Sequence, residues 1–317
     1  MTGHRALPSR AAIVATAGET IARGSKSFAV ASRLFDRRTR ERAWLLYAWC
    51  RACDDIADDQ QLGHGMARVE DGAARLALIR ARTDKALSGE VVGDPAFDAL
   101  RIVAAETGLP RRMTDSLIEG FAMDARDWRP RSEADLLTYC YHVAGVVGEM
   151  MAVVMGVDPA DEATLTRATD LGLAFQLANI ARDIEEDGRV GRCYLPVEWL
   201  VEMDIAPGEH FRPWYRQRLA VLAGRLARMA GAYEQSARIG AAALSFRQAW
   251  AVLAAAHIYG GIARKVADAG GHAWDHRVTT TRGEKLAAVG RAFIEALRPR
   301  REPAEPRDPD LWTPVRP

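Results

Sequence analysis

The chain has almost no net charge. Its 43 lysines and arginines offset 42 aspartates and glutamates, leaving +1 over 317 residues. No overall field is available to hold a polyanion, which disfavours a nucleic-acid module. It also lacks a run near the roughly 18 uninterrupted apolar residues of a membrane span, because the most apolar stretch, 142–157, contains Glu149. The amino end has only the eight residues 11–18 between charges, too few and too weakly apolar for a secretory signal. A cytoplasmic location is the expectation, with peripheral contact at the inner face of a membrane left open. Cysteines number four. Cys50 and Cys53 have CxxC spacing but no second CxxC or ligating histidine near them, so they read as ordinary buried thiols. The 7 histidines are scattered, and His142 and His257 read as packing or hydrogen-bonding residues rather than ligands. Alternation of period two is nearly missing, which argues against sheets.

What is present is helical. Alanine, leucine, arginine and glutamate recur at spacings of three and four. Helices are expected over 12–23, 38–60, 68–88, 95–107, 110–122, 133–155, 160–187, 213–238, 243–269 and 283–297. Pro110 suits a first helical position, Ser132 with Asp135 and Thr281 with Glu284 have capping-box spacing, and Asp158-Pro159 opens a long helix. Gly63, Gly65, Gly89, Gly93, Gly188 and Gly191 mark breaks. The predicted class is all-α, with a single helical domain over 11–298. The Pro-rich segment 299–317 holds 6 of the 14 prolines and reads as a tail without regular structure.

Two helices carry carboxylates in a pattern that needs a cation. In ERAWLLYAWCRACDDIADDQ, Asp54 and Asp58 lie about 40° apart on one helical face, with Arg51 one turn earlier. Asp55 and Asp59 form a second pair turned toward solvent. In DLGLAFQLANIARDIEEDGRVGRCYLP, Asn179, Asp183 and Asp187 follow one another at i,i+4, with Gln176 before them and Arg182 beside them. Leu171, Ala174, Phe175, Ala178 and Ile180 mark the same helix as largely buried. Like charges at this spacing oppose helix formation, and more so among apolar groups. A hard divalent cation that brings substrate phosphates as further ligands resolves the conflict. Mg²⁺ suits the oxygen donors, with Mn²⁺ as an alternative; zinc would call for sulfur or imidazole, and a di-iron bundle for E-x-x-H pairs.

The strings YAWCRACDDIADDQ at 47–60 and QLANIARDIEEDGRVGRCYLP at 176–196 resemble the paired Asp-rich signatures of the squalene and phytoene synthase family. GSKSF at 24–28, EGFAMD at 119–124, YCYHVAGVVG at 139–148 and AHIYGGIARKV at 256–266 follow in the family's order, so the resemblance covers about 15–298. The strings look most similar to those of the family's bacterial phytoene-forming members. The resemblance implies an isoprenoid-synthase bundle around a central cavity and a Mg²⁺-dependent prenyltransferase. It would condense two geranylgeranyl diphosphates head to head, through prephytoene diphosphate, to phytoene, with release of two diphosphates and no nicotinamide cofactor. The alternative is a squalene or dehydrosqualene synthase acting on farnesyl diphosphate.

By the same resemblance, Asp54, Asp58, Asn179, Asp183 and Asp187 form the metal and diphosphate cluster. Ser25, Lys26, Ser27, Arg51, Gln176, Arg182, Arg192, Tyr194 and Arg277 bind substrate, and Tyr139 and Tyr259 join Arg51 and the aspartates in catalysis. Ala52 departs from the family, where histidine is frequent. The partners implied are two prenyl diphosphate molecules, with a monomer expected and no nucleic acid. Phe28, Tyr47, Phe121 and Phe175 are candidates to face a carbocation. The small residues at 143–148, with Gly172, Ala174 and Ala178, read either as close helix packing or as room for prenyl chains.

Overall fold

The computed structural model describes residues 8–58, 71–206, 208–297 and 305–315. Thirteen α-helices run through them: α1 (Arg10–Gly24), α2 (Lys26–Ser32), α3 (Arg37–Asp58), α4 (Gly72–Leu87), α5 (Pro95–Thr107), α6 (Arg111–Ala125), α7 (Glu133–Cys140), α8 (Val146–Val154), α9 (Glu162–Arg189), α10 (Val197–Glu202), α11 (Arg216–Gly240), α12 (Phe246–Ala269) and α13 (Arg282–Ala296). No strand occurs among the described residues.

Two helices organise the rest. In the first half α3 packs against α1, α4, α5 and α6; in the second, α9 packs against α11 and α12, and α13 lies on the outer side of α12. α8 bridges the halves through contacts with α3, α6 and α9. Each organising helix has one core face and one cavity face. On α3, Leu45, Leu46, Trp49 and Cys53 are buried in the core, while Tyr47, Cys50, Arg51 and Asp54 turn to the cavity. On α9, Leu173, Leu177, Ala181 and Ile184 are in the core, and Gln176, Asn179, Asp183 and Asp187 face the cavity. The period of 3.6 residues therefore separates the apolar stripe from the polar one on both helices.

Local signals start several helices where the sequence places them. Ser132–Asp135 and Thr281–Glu284 both form reciprocal capping boxes. Gly89 and Gly93 have φ of +86° and +81°, a conformation natural to glycine. Four boundaries differ. Pro110 is the N-cap of α6 rather than its first residue, and α9 is capped by Asp161, whose side chain accepts from Thr164 N, after a turn at 158–160. Gly188 is buried inside α9, and the break falls at Gly191, with φ +82°. The helix expected over 133–155 is interrupted by one π turn, Tyr141–Gly145.

Two short helices, α2 and α10, stand outside the expectation. Ser25 ends α1 as its C-cap and caps α2 by accepting from Phe28 N at 3.3 Å. The break between α1 and α2 is therefore a single residue. The expected breaks at Gly63 and Gly65, the Asp59 pairing and the start of the helix at 68 lie outside the described residues.

By length and composition alone Glu133–Val154 reaches the size of a membrane-spanning helix, although Glu149 interrupts its apolar run as the sequence indicates. Its burial explains the composition: 61% of its most apolar stretch is inside the fold. Glu149 is fully buried, accepting from Thr169 Oγ1 at 2.8 Å and pairing with Arg112 at 3.3 Å.

The π turn and α8 together cross α9 closely enough to need glycine. A Cβ on Gly172 would lie 2.6 Å from the carbonyl carbon of Ala144, and one on Gly148 would lie 2.9 Å from that of Ala168. Both glycines also line the apolar cavity described below, so close packing and cavity space are one feature here.

Candidate active site

Two cavities meet between α3, α8 and α9. The first, about 450 Å³, is polar and is walled by Arg51, Asp54, Asp124, Tyr139, Asn179, Arg182, Asp183, Asp187, Arg192 and Tyr194, among others. The second, about 490 Å³, is mostly apolar and runs along α9 between α2, α8, α11 and α12. Tyr47, Arg51, Val143, Val147, Gln176 and Asn179 belong to both walls, so a charged mouth opens into an apolar interior.

The arginines already hold part of the carboxylate set. Arg51 pairs with Asp54. Arg182 clasps Asp183 with Nε at 2.8 Å from Oδ1 and Nη2 at 2.5 Å from Oδ2. Asp183 takes a second cation, Arg277, at 3.2 Å, and Arg277 also pairs with Glu186. Arg277 does not line the cavity; it sits half exposed at the rim.

Asp187 is the least compensated member. Burial, and then the charge of Asp183, push its carboxyl up to about 7, against a smaller opposing pull from Arg192. Across the mouth, Arg51 Nε and Tyr47 Oη are buried without a hydrogen-bond partner in good geometry. Groups left in this state suit a site that is completed by an anion and its cation.

Asp124, near the end of α6 in the string EGFAMD, is a member of the site that spacing alone does not single out. It accepts from Tyr139 Oη at 3.1 Å on each carboxylate oxygen and from Tyr194 Oη at 3.1 Å. The two tyrosine rings stack 4.8 Å apart, and Trp128 stacks on Tyr139 at 5.8 Å. Burial, and then the Asp124 charge, raise both phenols well above their usual range, so both stay protonated. No local signal marks Asp124, because its partners are 15 and 70 residues away.

The remaining predicted residues divide between the cavities. Gln176 lines both, and Ser25 and Tyr259 line the apolar one. Tyr259 stacks on Phe175 at 4.1 Å. Phe121 lines the polar cavity, Phe28 and Phe175 the apolar one, and Tyr47 both. Cys53, Cys140 and Cys193 are buried free thiols, while Cys50 faces the polar cavity with its thiol pushed up to about 12 by burial. The side chains of Lys26, Ser27 and Asp58 lie outside the described set.

Among the described residues, no three histidine, cysteine, aspartate or glutamate side chains converge tightly enough to hold a cation alone. The oxygen-only donors Asp54, Asn179, Asp183 and Asp187 fit a Mg²⁺ that keeps water or substrate phosphate in its remaining positions.

The squalene/phytoene synthase family profile matches residues 21–284. The chain is 46% identical over 296 residues to a 15-cis-phytoene synthase of Pantoea ananas, covering 93% of this chain and 95% of that one. It is 44% identical over 303 residues to a 15-cis-phytoene synthase of Paracoccus sp., covering 95% and 97%. Among solved structures it is similar to a dehydrosqualene synthase in complex with ligand, with a TM-score of 0.79 at 26% identity over 89% of this chain and 96% of that one. A squalene synthase from Alicyclobacillus acidocaldarius shares the fold, with a TM-score of 0.69 at 24% identity over 81% and 95%. With the profile covering most of its length and close relatives matched nearly end to end, the chain belongs to the squalene/phytoene synthase family.

Proposed function

We propose that the chain is a phytoene synthase, a prenyltransferase that joins two geranylgeranyl diphosphates head to head through prephytoene diphosphate, as part of carotenoid biosynthesis. The observation that carries this reading is the junction of a carboxylate- and arginine-lined mouth with an apolar cavity along α9. One half suits a diphosphate and the other its hydrocarbon chain. The relatives that match at 44 to 46% identity carry the phytoene synthase name, whereas the dehydrosqualene synthase is 26% identical, which favours this reading over a farnesyl-using one.

Asp54, Asn179, Asp183 and Asp187 would hold Mg²⁺, with Asp58 joining them by its place one turn after Asp54. Bound there, the metal neutralises charge on a departing diphosphate. Arg51, Arg182 and Arg192 line the same mouth and stabilise the charge that develops as the allylic C–O bond breaks. Guanidinium suits paired phosphate oxygens. The donor's allylic cation is attacked by the second molecule's double bond, and a proton is lost as the cyclopropyl ring closes; the cyclopropyl diphosphate then ionises in turn.

Val143, Val147 and Leu171 with the stacked Phe175–Tyr259 pair keep water from these cations, and the ring faces stabilise them. Tyr139 and Tyr194 are held protonated, so they orient groups at the mouth through Asp124. Released diphosphate in the same mouth is the better proton acceptor. An apolar product favours an encounter at the inner face of a membrane from the cytoplasm. The test is the double variant Asp54→Asn with Asp183→Asn: near-normal turnover with Mg²⁺ dependence intact would remove these helices from the active site.

A further inference from the structure

Toward its far end the apolar cavity is lined by a residue that is held partly from outside the helical bundle. Its wall on α9 descends from Asn179 and Gln176 through Gly172 and Ala168 to Arg167 and Thr164. Asn179 and Arg167 are 12 residues apart in sequence, about 18 Å along the helix axis. On α9 the far end of the wall is therefore formed by Arg167 and by Thr164 three residues beyond it, and Arg167 carries a charge that has no counterpart in a hydrocarbon chain.

Arg167 is 7% exposed, and all of its hydrogen bonds point away from the cavity. Nη1 donates to the Ser236 carbonyl at 3.0 Å and to Ser236 Oγ at 3.3 Å, on α11. Nη2 donates at 2.6 Å to the carbonyl of Glu305, in the carboxyl-terminal segment. Its aliphatic stem lies against Gly240, where an added Cβ would come within 2.6 Å of Arg167 Cβ. With the guanidinium held behind, the stem is what the cavity meets.

Residues 305–315 have no helix or strand, yet they are strongly anchored. Arg307 makes a two-bond clasp on the fully buried Asp170 of α9, Nε to Oδ2 at 2.8 Å and Nη2 to Oδ1 at 2.7 Å. Ser236 Oγ adds a bond to Asp170 Oδ2 at 2.6 Å. Arg307 also gathers its own segment, donating to the carbonyls of Leu311 at 3.1 Å and Trp312 at 2.8 Å and to Thr313 Oγ1 at 2.9 Å. Trp312 packs near Tyr141 in the π turn, with ring centroids 6.4 Å apart. The expected tail is thus a strap across α9 and α11.

We propose that this strap sets the prenyl chain length the enzyme accepts, by holding Arg167 as the closed end of the cavity. The inference rests on the reading of that cavity as the prenyl site. Arg307 and Asp170 are positioning residues, since they act on the chain only through Arg167. Without the clasp, the Glu305 carbonyl is no longer fixed, Arg167 can leave its place, and the cavity lengthens.

The test uses the full chain and three substrates: farnesyl, geranylgeranyl and the longer geranylfarnesyl diphosphate. Arg307→Ala should raise the ratio of kcat/KM for geranylfarnesyl over geranylgeranyl diphosphate by about tenfold, the order of effect for adding room at the end of an apolar pocket. Arg307→Lys, which keeps the charge but not the fork, should fall between it and wild type. A general loss of stability would lower all rates together and leave the ratio alone; that result overturns the proposal. If Arg307→Ala does not fold, Arg167→Met, which keeps a stem and loses the Glu305 and Ser236 bonds, should move the ratio the same way, and an unchanged ratio there overturns it equally. Wild-type protein that converts none of the three would overturn the prenyl reading itself, and the proposal with it.

Discussion

Replacing Asp187 with asparagine should stabilise the metal-free protein at alkaline pH while removing most of its activity. The carboxyl has its pKa raised from 3.8 to about 7, chiefly by burial and then by Asp183. A carboxyl whose pKa is higher in the folded than in the unfolded chain favours folding while it is protonated. That favourable contribution is complete below about pH 4 and is lost as pH rises through about 7. The difference of about 3 pKa units, at about 1.4 kcal/mol each, is a loss of about 4 kcal/mol by pH 8, more than half of it between pH 5 and pH 8.

Asparagine is nearly the same size and does not titrate. Urea unfolding of EDTA-treated protein, followed by far-UV circular dichroism at pH 5 and pH 8, measures the effect directly. Wild type should lose stability over that interval by an amount the variant does not, and Mg²⁺ with inorganic diphosphate should restore it in wild type alone. Equal pH dependence in the two proteins would refute the picture of Asp187 as a carboxylate waiting for a cation.

Gly172→Ala should destabilise the fold by up to about 2 kcal/mol, because about 1–3 kcal/mol of overpacking against the Ala144 backbone exceeds the gain in helix propensity of about 1 kcal/mol. Thermal melting checks this, and a more stable variant would contradict the close crossing of the π turn and α9. Tyr139→Phe leaves Asp124 with Tyr194 as its remaining tyrosine donor and should lower kcat by about tenfold or more at little cost in melting temperature, if the pair orients reacting groups. Unchanged kcat would reduce Tyr139 to packing. Removing divalent metal with EDTA should abolish turnover, and Mg²⁺ should restore it; activity that survives thorough chelation would exclude the metal role.

The carboxylate face was legible in the sequence because it is local. Spacing of i,i+4 fixes Asn179, Asp183 and Asp187 on one side of α9 whatever packs around them, and the same holds for the sequence of Arg51 and Asp54 on α3. Asp124 was not legible, since its tyrosine partners come from α7 and from the loop after α9. Nor was the strap: Arg307 and Asp170 are 137 residues apart, and a segment rich in proline and charge reads as solvated until Arg307 finds a buried carboxylate. α2 was missed for a different reason. A seven-residue helix is held by its contacts with α1 and α12 more than by its own sequence.

The hydrocarbon released by purified protein decides what the joined cavities make. Geranylgeranyl diphosphate with Mg²⁺ and no NADPH should yield phytoene, with much less product from farnesyl diphosphate. Squalene formed from farnesyl diphosphate only when NADPH is present would make the chain a squalene synthase instead.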